Sequence, residues 1–492
     1  MDETGYLERD GLGLAELVAG REVTAAELLA AARAQADRVN SRINAICLRI
    51  DDPADSRAAG ELSGPFAGVP FLLKDLHQDL AGFPTSGGCR ALAGRPALLT
   101  STVVQRWLDA GVVIFGKTST PEFGAKGITE PELFGPTRNP WNLARTPGGS
   151  SGGAAAAVAA GILPVAAASD GGGSIRIPAA CTGLVGLKAG RGLIAAGPSV
   201  SEPLNGLATA GVVSRSVRDT AAMLDVLAGP DDVAAYAPAL PDRTFREEIE
   251  HEPGRLRIAY TTQSALRDGA HPEAARAVER SAALLAELGH DVEEVQPPHD
   301  DRQLARDFLT IWFVHQAIEV DRIKQLTGAG DDGFEQDTRL MAALGARTRG
   351  VELQGADERR HEHVAALARL HATHDLLMTP TLAEPPIAVG SLESPAPLRR
   401  VAEWVLRTRT TPVLQWAGIA DQMVDRNLSW IPYTQLANMT GRPAISLPLH
   451  WTPDGLPMGV QFVARLGGEG VLLRLARQLE LAAPWAQRRP PL

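Results

Sequence analysis

TPGGSSGGAAAAVAAGILPVAAASDGGGSIRIP, residues 146–178, sets a glycine- and serine-rich loop before a run of alanines. An apolar run and a second glycine-rich serine follow. Alanine is the best helix former, so residues 154–160 read as a helix, ended by Gly161 and Pro164. ILPVAAASD has the length and composition of a buried strand. A flexible linker is seldom followed at once by an apolar helix and strand, which argues for a loop with a structural task. The segment 154–168 is too short for a membrane span, and Gly161 and Pro164 interrupt it.

The same alternation continues outward. Thr24 and Glu27 stand at capping-box spacing ahead of LLAAARAQADRV, which predicts a helix. STVVQRWLDAG (101–111) reads as a helix closed by Gly111, with VVIFG as a buried strand after it. SVRDTAAMLDVLAG reads as an amphipathic helix, while RPAISLPL (442–449) and MGVQFVARL (458–466) read as strands before a last helix, VLLRLARQLE. Between 231 and 425 charged helical segments such as ADERRHEHVAALARLHATHD and turns such as TPTLAEPP (379–386) predominate. RLRIAY (255–260) and HDVEEVQPP (290–298) are strand-like within that region. Interleaved helices and strands predict an α/β fold built on a large sheet.

Composition limits the function. With 492 residues, 45% of them hydrophobic, the chain has ample material for a core. Its 48 basic against 58 acidic residues, a net charge of -10, disfavour nucleic acid or an anionic membrane as partner. Cys47, Cys89 and Cys181 are too few and too scattered for a disulfide framework or a zinc site. They suit a reducing cytoplasm, and the acidic N-terminus MDETGYLERDG lacks the pattern of an export signal.

Several motifs compete for the chemistry. Gly111 to Thr118 satisfies the letters of a phosphate-binding P-loop, but its variable residues form an apolar strand and no helix follows. Gly148-Gly149-Ser150-Ser151-Gly152 fits the G-x-S-x-G nucleophile elbow, yet RNPWNLARTP before it is no strand. Cys181 lies in a small-residue stretch and reads as a packed core thiol. His361, His363, His371 and His374 lack metal-ligand spacing and read as a solvated helix face. Asp170 and Arg176 flank Ser174 and read as an ion pair or hydrogen-bonded scaffold for the loop.

Taken together, GPFAGVPFLLKD, GKTSTPEFG, GPTRNPWN, GGSSGG and DGGGSIRIPAACTGLVGLK, with GRPAISLPL and GLPMGVQFVA further on, resemble the amidase signature family. GPFAGVP, TRNPWNL and the terminal PWAQRRPPL are similar to the members that open nylon-oligomer (6-aminohexanoate) cyclic dimers. The resemblance implies an amidase-signature fold, with a large mixed sheet covered by helices on both faces. It also implies one domain over 1–492: a motif core at 64–225, a helix-rich elaboration at 231–425 shaping the pocket, and strands and a helix returning at 426–492. Ser174 matches the family's nucleophile, Ser150 its bridging serine on a cis peptide bond, and Lys74 its base. Gly171, Gly172 and Gly173 match the oxyanion hole, and Gly149 and Ser151 support the loop. A serine hydroxyl needs a proton acceptor, and a lysine desolvated among Phe71, Leu72, Leu73 and Leu76 can serve as a neutral amine.

The implied reaction is amide C–N hydrolysis through an acyl-enzyme, with no metal and no cofactor. Expected substrates are small-molecule amides, esters or carbamates, because relatives use one triad on all three. Amidotransferase subunits of the family work within a complex, whereas the acidic charge here favours a stand-alone enzyme without nucleic-acid or membrane partners. A homodimer is left open. Two departures from the usual signature, Ala189 after Lys188 and Ala154 after GGSSGG, leave the triad untouched.

Overall fold

The short apolar runs become two sheets in the computed structural model, which describes residues 3–393, 399–400, 402–403, 406 and 424–492. The rest of the expected 231–425 elaboration lies outside the described residues. Strands β1 (Ile46–Arg49), β2 (Pro70–Lys74) and β3 (Val113–Thr118) form a small sheet in the order β1-β3-β2. The large sheet contains β4 (Val165–Asp170), β5 (Val185–Lys188), β6 (Thr209–Ser214) and β7 (Arg257–Tyr260). It is completed by β8 (Asp291–Glu294), β9 (Leu376–Pro380), β10 (Ala444–Trp451) and β11 (Pro457–Ala464). Its order is β4-β6-β5-β10-β11-β9-β7-β8, parallel at β7–β8 and β7–β9 and antiparallel elsewhere.

The local signals explain these elements. Thr24 and Glu27 form the reciprocal capping box that starts the helix Ala25–Ile43. The helix Thr102–Asp109 is followed by Gly111 at φ 90°, where a Cβ would lie 2.4 Å from the Ser63 carbonyl oxygen, so glycine is required. β4 and β11 are almost wholly buried, which is why they read as continuous apolar runs rather than alternating ones. Helices pack on the large sheet, among them Gly152–Ala159 on β4, Arg176–Thr182 on β10 and β11, and Pro272–Glu287 on β9 to β11.

Two readings are corrected. Leu376–Pro380 is a fully buried strand inside the sheet, at a place where the sequence showed only helical texture and turns. Five residues squeezed between a long helix and a proline turn are too few to display a period. His363, His371 and His374 do not form a solvated face: they are 3%, 3% and 9% exposed. The helix Gly350–His371 turns His363 and His371 inward while His361 stays exposed, His374 is buried in the turn that follows, and burial pushes the His371 pKa down to about 4.

What positions the site is contact between the sheets: β2 of the small sheet lies against β4 of the large one, so Lys74, at the end of β2, meets the end of β4. No helix among the described residues is long and apolar enough to cross a membrane. One close approach tests the packing of the helical layer. A Cβ at Gly345 would stand 1.8 Å from the Phe313 carbonyl oxygen, so Gly345→Ala is expected to cost about 2–3 kcal/mol in urea unfolding. Gly355→Ala, in the interior of the 350–371 helix and facing only the flexible end of Arg359, should be neutral or stabilise by about 0.5–1 kcal/mol.

Candidate active site

Lys74 closes β2 with its side chain fully buried. Its Nζ donates to Ser150 Oγ at 2.8 Å and to Ser169 Oγ at 3.0 Å. The Lys74 backbone N–H donates to Gln78 Oε1 (2.6 Å), and Gln78 Nε2 donates to the Ala168 carbonyl (2.9 Å), which ties the end of β2 to β4. Burial lowers the lysine pKa to about 7, against the opposing pull of the Asp170 charge. Near neutral pH a large share of this amine therefore carries a free lone pair.

The loop that presents Ser150 is held on every side. The Gly149–Ser150 peptide bond is cis. A Cβ at Gly149 would lie 2.4 Å from the Ile128 carbonyl oxygen, so only glycine fits there. Thr129 Oγ1 donates to the Gly148 carbonyl (2.9 Å) and accepts from Gly152 N–H (3.1 Å), and Asn139 Nδ2 donates to the Thr146 carbonyl (3.1 Å). Ser151 Oγ donates to the Ser169 carbonyl (3.2 Å) and accepts from Ser169 N–H (3.3 Å), binding this loop to β4. The alanine helix Gly152–Ala159 begins directly behind it, entirely buried, where larger side chains would hold the loop away from β4.

The loop after β4 carries Ser174, 8% exposed, whose carbonyl accepts from Ser151 N–H at 3.3 Å. The hydroxyls of Ser150 and Ser174 do not bond each other directly. The loop is built on Asp170 and Arg176, both fully buried. Asp170 accepts from Gly173 N–H (2.7 Å), Ile175 N–H (3.2 Å), Asn438 Nδ2 (2.8 Å) and Arg176 Nε and Nη2 (both 2.9 Å). Arg176 also donates to the Thr434 carbonyl (2.8 Å), Gln461 Oε1 (2.6 Å) and Asn438 Oδ1 (2.6 Å), which uses its whole set of donors. Burial would raise the Asp170 pKa, but the Arg176 charge overrides it and holds the carboxyl well below the usual range.

The three glycines are not equivalent. Gly173 N–H is already committed to Asp170, whereas Gly171 and Gly172 stay half-buried with no acceptor for their N–H groups among the described residues. Of the three glycines expected to form the hole, Gly171 and Gly172 are the two with an uncommitted N–H among the described residues. Over them lie Phe308 and Trp312, whose rings would stand 2.6 Å and 3.4 Å from a Cβ at Gly172 and Gly171. The competing motifs lose their chemistry: Lys117 is buried in β3 and donates to Thr85 Oγ1 and the Gln78 carbonyl, and burial raises the pKa of Cys181. Among the described residues no group of three or more His, Cys, Asp or Glu could hold a metal.

Sequence reasoning missed Ser169, Gln78, Thr434, Asn438 and Gln461. Gln461 left a signal, a carboxamide in the middle of the apolar run MGVQFVA, since a polar group there must find buried partners. Ser169, Thr434 and Asn438 left none.

Comparison with known proteins agrees with this architecture. The family model described as Amidase matches residues 23–473. The chain is 39% identical to the 6-aminohexanoate-cyclic-dimer hydrolase of Pseudomonas sp. (strain NK87), over 99% of this chain and 97% of that protein. It is 34% identical to the acylamidase of Rhodococcus erythropolis, over 97% of this chain and 96% of that one. The structure of 6-aminohexanoate cyclic dimer hydrolase complexed with substrate superposes with a TM-score of 0.91 at 37% identity, covering 99% of each chain.

Removing the guanidinium would strand a buried carboxylate. Arg176→Met is expected to lose about 3–5 kcal/mol of unfolding free energy in urea, and Asp170→Asn combined with Arg176→Met to lose less than the single change.

Proposed function

The chain belongs to the amidase signature family, hydrolases of amide C–N bonds, and on that premise we propose that it cleaves carboxamides with Ser174 as nucleophile, Ser150 as proton bridge and Lys74 as base. The observation that carries the reading is the buried Lys74 amine, 2.8 Å from the Ser150 hydroxyl, with a pKa lowered to about 7.

In the first half-reaction Ser174 Oγ bonds to the amide carbonyl carbon and its proton passes through the Ser150 hydroxyl to Lys74 Nζ. The Gly171 and Gly172 N–H groups receive the negative charge that develops on the carbonyl oxygen; one such donor is worth about 3–4 kcal/mol of transition-state stabilisation. The tetrahedral adduct collapses as the C–N bond breaks, and the leaving amine takes back the proton through the same route. Water then attacks the Ser174 ester with Lys74 again as acceptor, releasing the carboxylic acid and restoring the serine. Ser169, the second hydroxyl on Nζ, holds the amine in line with Ser150.

Amides are favoured over esters and carbamates as substrates because the aligned relatives are named for amide hydrolysis, one on a cyclic dimer and one on acylamides. The assay is steady-state hydrolysis of anilides and of the cyclic dimer of 6-aminohexanoate by the purified chain alone. Ser174→Ala should lower kcat by about 10⁴-fold or more; turnover that survives the change points to another nucleophile. The base works only when neutral, so kcat/KM should rise with pH up to about 7, close to tenfold per unit well below it, and level off above. A flat profile between pH 5 and 8 contradicts Lys74 as base.

A further inference from the structure

We propose that Arg442, Arg465 and His371 form a binding site for inorganic phosphate, taken as the hydrogen phosphate dianion, at the end of the β10–β11 pair. The inference goes beyond the amidase reading and does not depend on it. The register Ala444↔Val463 continues at the Ala464 N–H, which donates to the Pro443 carbonyl (3.1 Å), so the next position sets Arg442 opposite Arg465. Directly opposed residues project to one face of a sheet, and like charges so placed repel. Arg465 donates to the His371 carbonyl and has Asp375 at 3.9 Å, but the other oxygen of that carboxylate accepts from the Arg257 N–H (2.8 Å).

Arg442 stands apart from the other buried arginines. Arg176 is bonded to a carboxylate and Arg215 to two backbone carbonyls. Arg442 is 6% exposed, its Nε is buried without a partner, and its guanidinium has no hydrogen bond or ion pair among the described residues. Burial and the Arg465 charge both lower its pKa. A buried cation without a partner is costly, and an anion between the two guanidinium groups would offset that cost.

His371 selects the anion. It is 3% exposed, and its Nδ1 faces the His374 carbonyl at 3.2 Å. A carbonyl only accepts, so Nδ1 carries the ring proton, and Nε2, which has no partner, presents a lone pair. Burial, with the Arg442 and Arg465 charges beside it, lowers the His371 pKa to about 4, so the ring is neutral. A lone pair beside two guanidinium groups fits an anion that still carries a proton: phosphate oxygens would accept from the arginines while the P–OH donates to Nε2. Sulfate has the same shape and charge but no proton to give.

The test compares inorganic phosphate with sulfate, both dianions near pH 8, by calorimetry on the full chain in chloride at constant ionic strength. Phosphate should saturate one site per chain, and sulfate should bind at least about tenfold more weakly. Glycerol phosphate, a dianion without a P–OH at that pH, should bind as weakly as sulfate, which separates free phosphate from a phosphorylated ligand. Arg442→Gln should weaken phosphate at least about tenfold. His371→Phe should erase the preference for phosphate and leave sulfate as it was. The proposal is overturned if phosphate shows no saturable binding, if sulfate or glycerol phosphate binds as tightly, if Arg442→Gln keeps the parent affinity, or if His371→Phe keeps the preference. The parent comparison needs no substitution, so a variant that fails to fold leaves the test standing. Turnover is not read, so neither outcome bears on the catalytic reading.

Discussion

An amine is buried here with two hydroxyls as its hydrogen-bonding partners in place of a carboxylate, and the rest of the site depends on that choice. A carboxylate at Lys74 Nζ would form an ion pair and keep the proton on nitrogen; Ser150 and Ser169 accept hydrogen bonds without adding charge. Desolvation, against the pull of the Asp170 charge, then lowers the pKa to about 7. Burial alone does not single out Lys74: Lys188 is also fully buried, with its pKa lowered to about 7, but it donates to the Ala189 carbonyl rather than to a hydroxyl. Partners, more than burial, distinguish the two lysines.

Holding a buried amine between two serines requires that three backbone segments be fixed together. The contact of β2 with β4 brings Lys74 to Ser169, and Gln78 reinforces it through Ala168. The Ser151 hydroxyl, bonded both ways to the Ser169 backbone, brings the loop of Ser150 to the same strand. The Asp170–Arg176 pair then fixes the third segment. Such a pair gains little over an apolar one of equal size, because desolvating two charges offsets most of their attraction. Its contribution is geometric: with every Arg176 donor satisfied and Asp170 holding Gly173 N–H, the loop sets Gly171 and Gly172, their N–H groups uncommitted among the described residues, against Phe308 and Trp312.

Much of this was legible in the sequence, for reasons that differ by residue. Local chemistry announced the capping box at Thr24, the glycine after the Thr102–Asp109 helix and the buried runs that became β4, β10 and β11. Lys74, Ser150 and Ser174 stood out because each sits in a motif whose glycines and apolar neighbours are themselves a signal, and the fold brings the first two within 2.8 Å of each other. What stayed hidden depends on segments far apart in the chain. Ser169 gains its role only when β2 lies on β4, and nothing in ILPVAAASD marks its hydroxyl. Three consecutive glycines look alike until Asp170 takes the third. Phe308 and Trp312 face those glycines across a fold whose helix packing no local pattern specifies, and the same packing turned His363, His371 and His374 inward.

The most direct measurement is the ionisation of Lys74 itself, followed by NMR on protein carrying isotope-labelled lysine, with Lys74→Met and Lys188→Met to assign the signals. A Lys74 resonance that titrates near pH 7, and whose midpoint moves when Ser150 is changed to Ala, is the result this account predicts. A Lys74 that titrates at the ordinary lysine value of about 10.4 would contradict it, because an amine protonated at neutral pH cannot take the proton of Ser174.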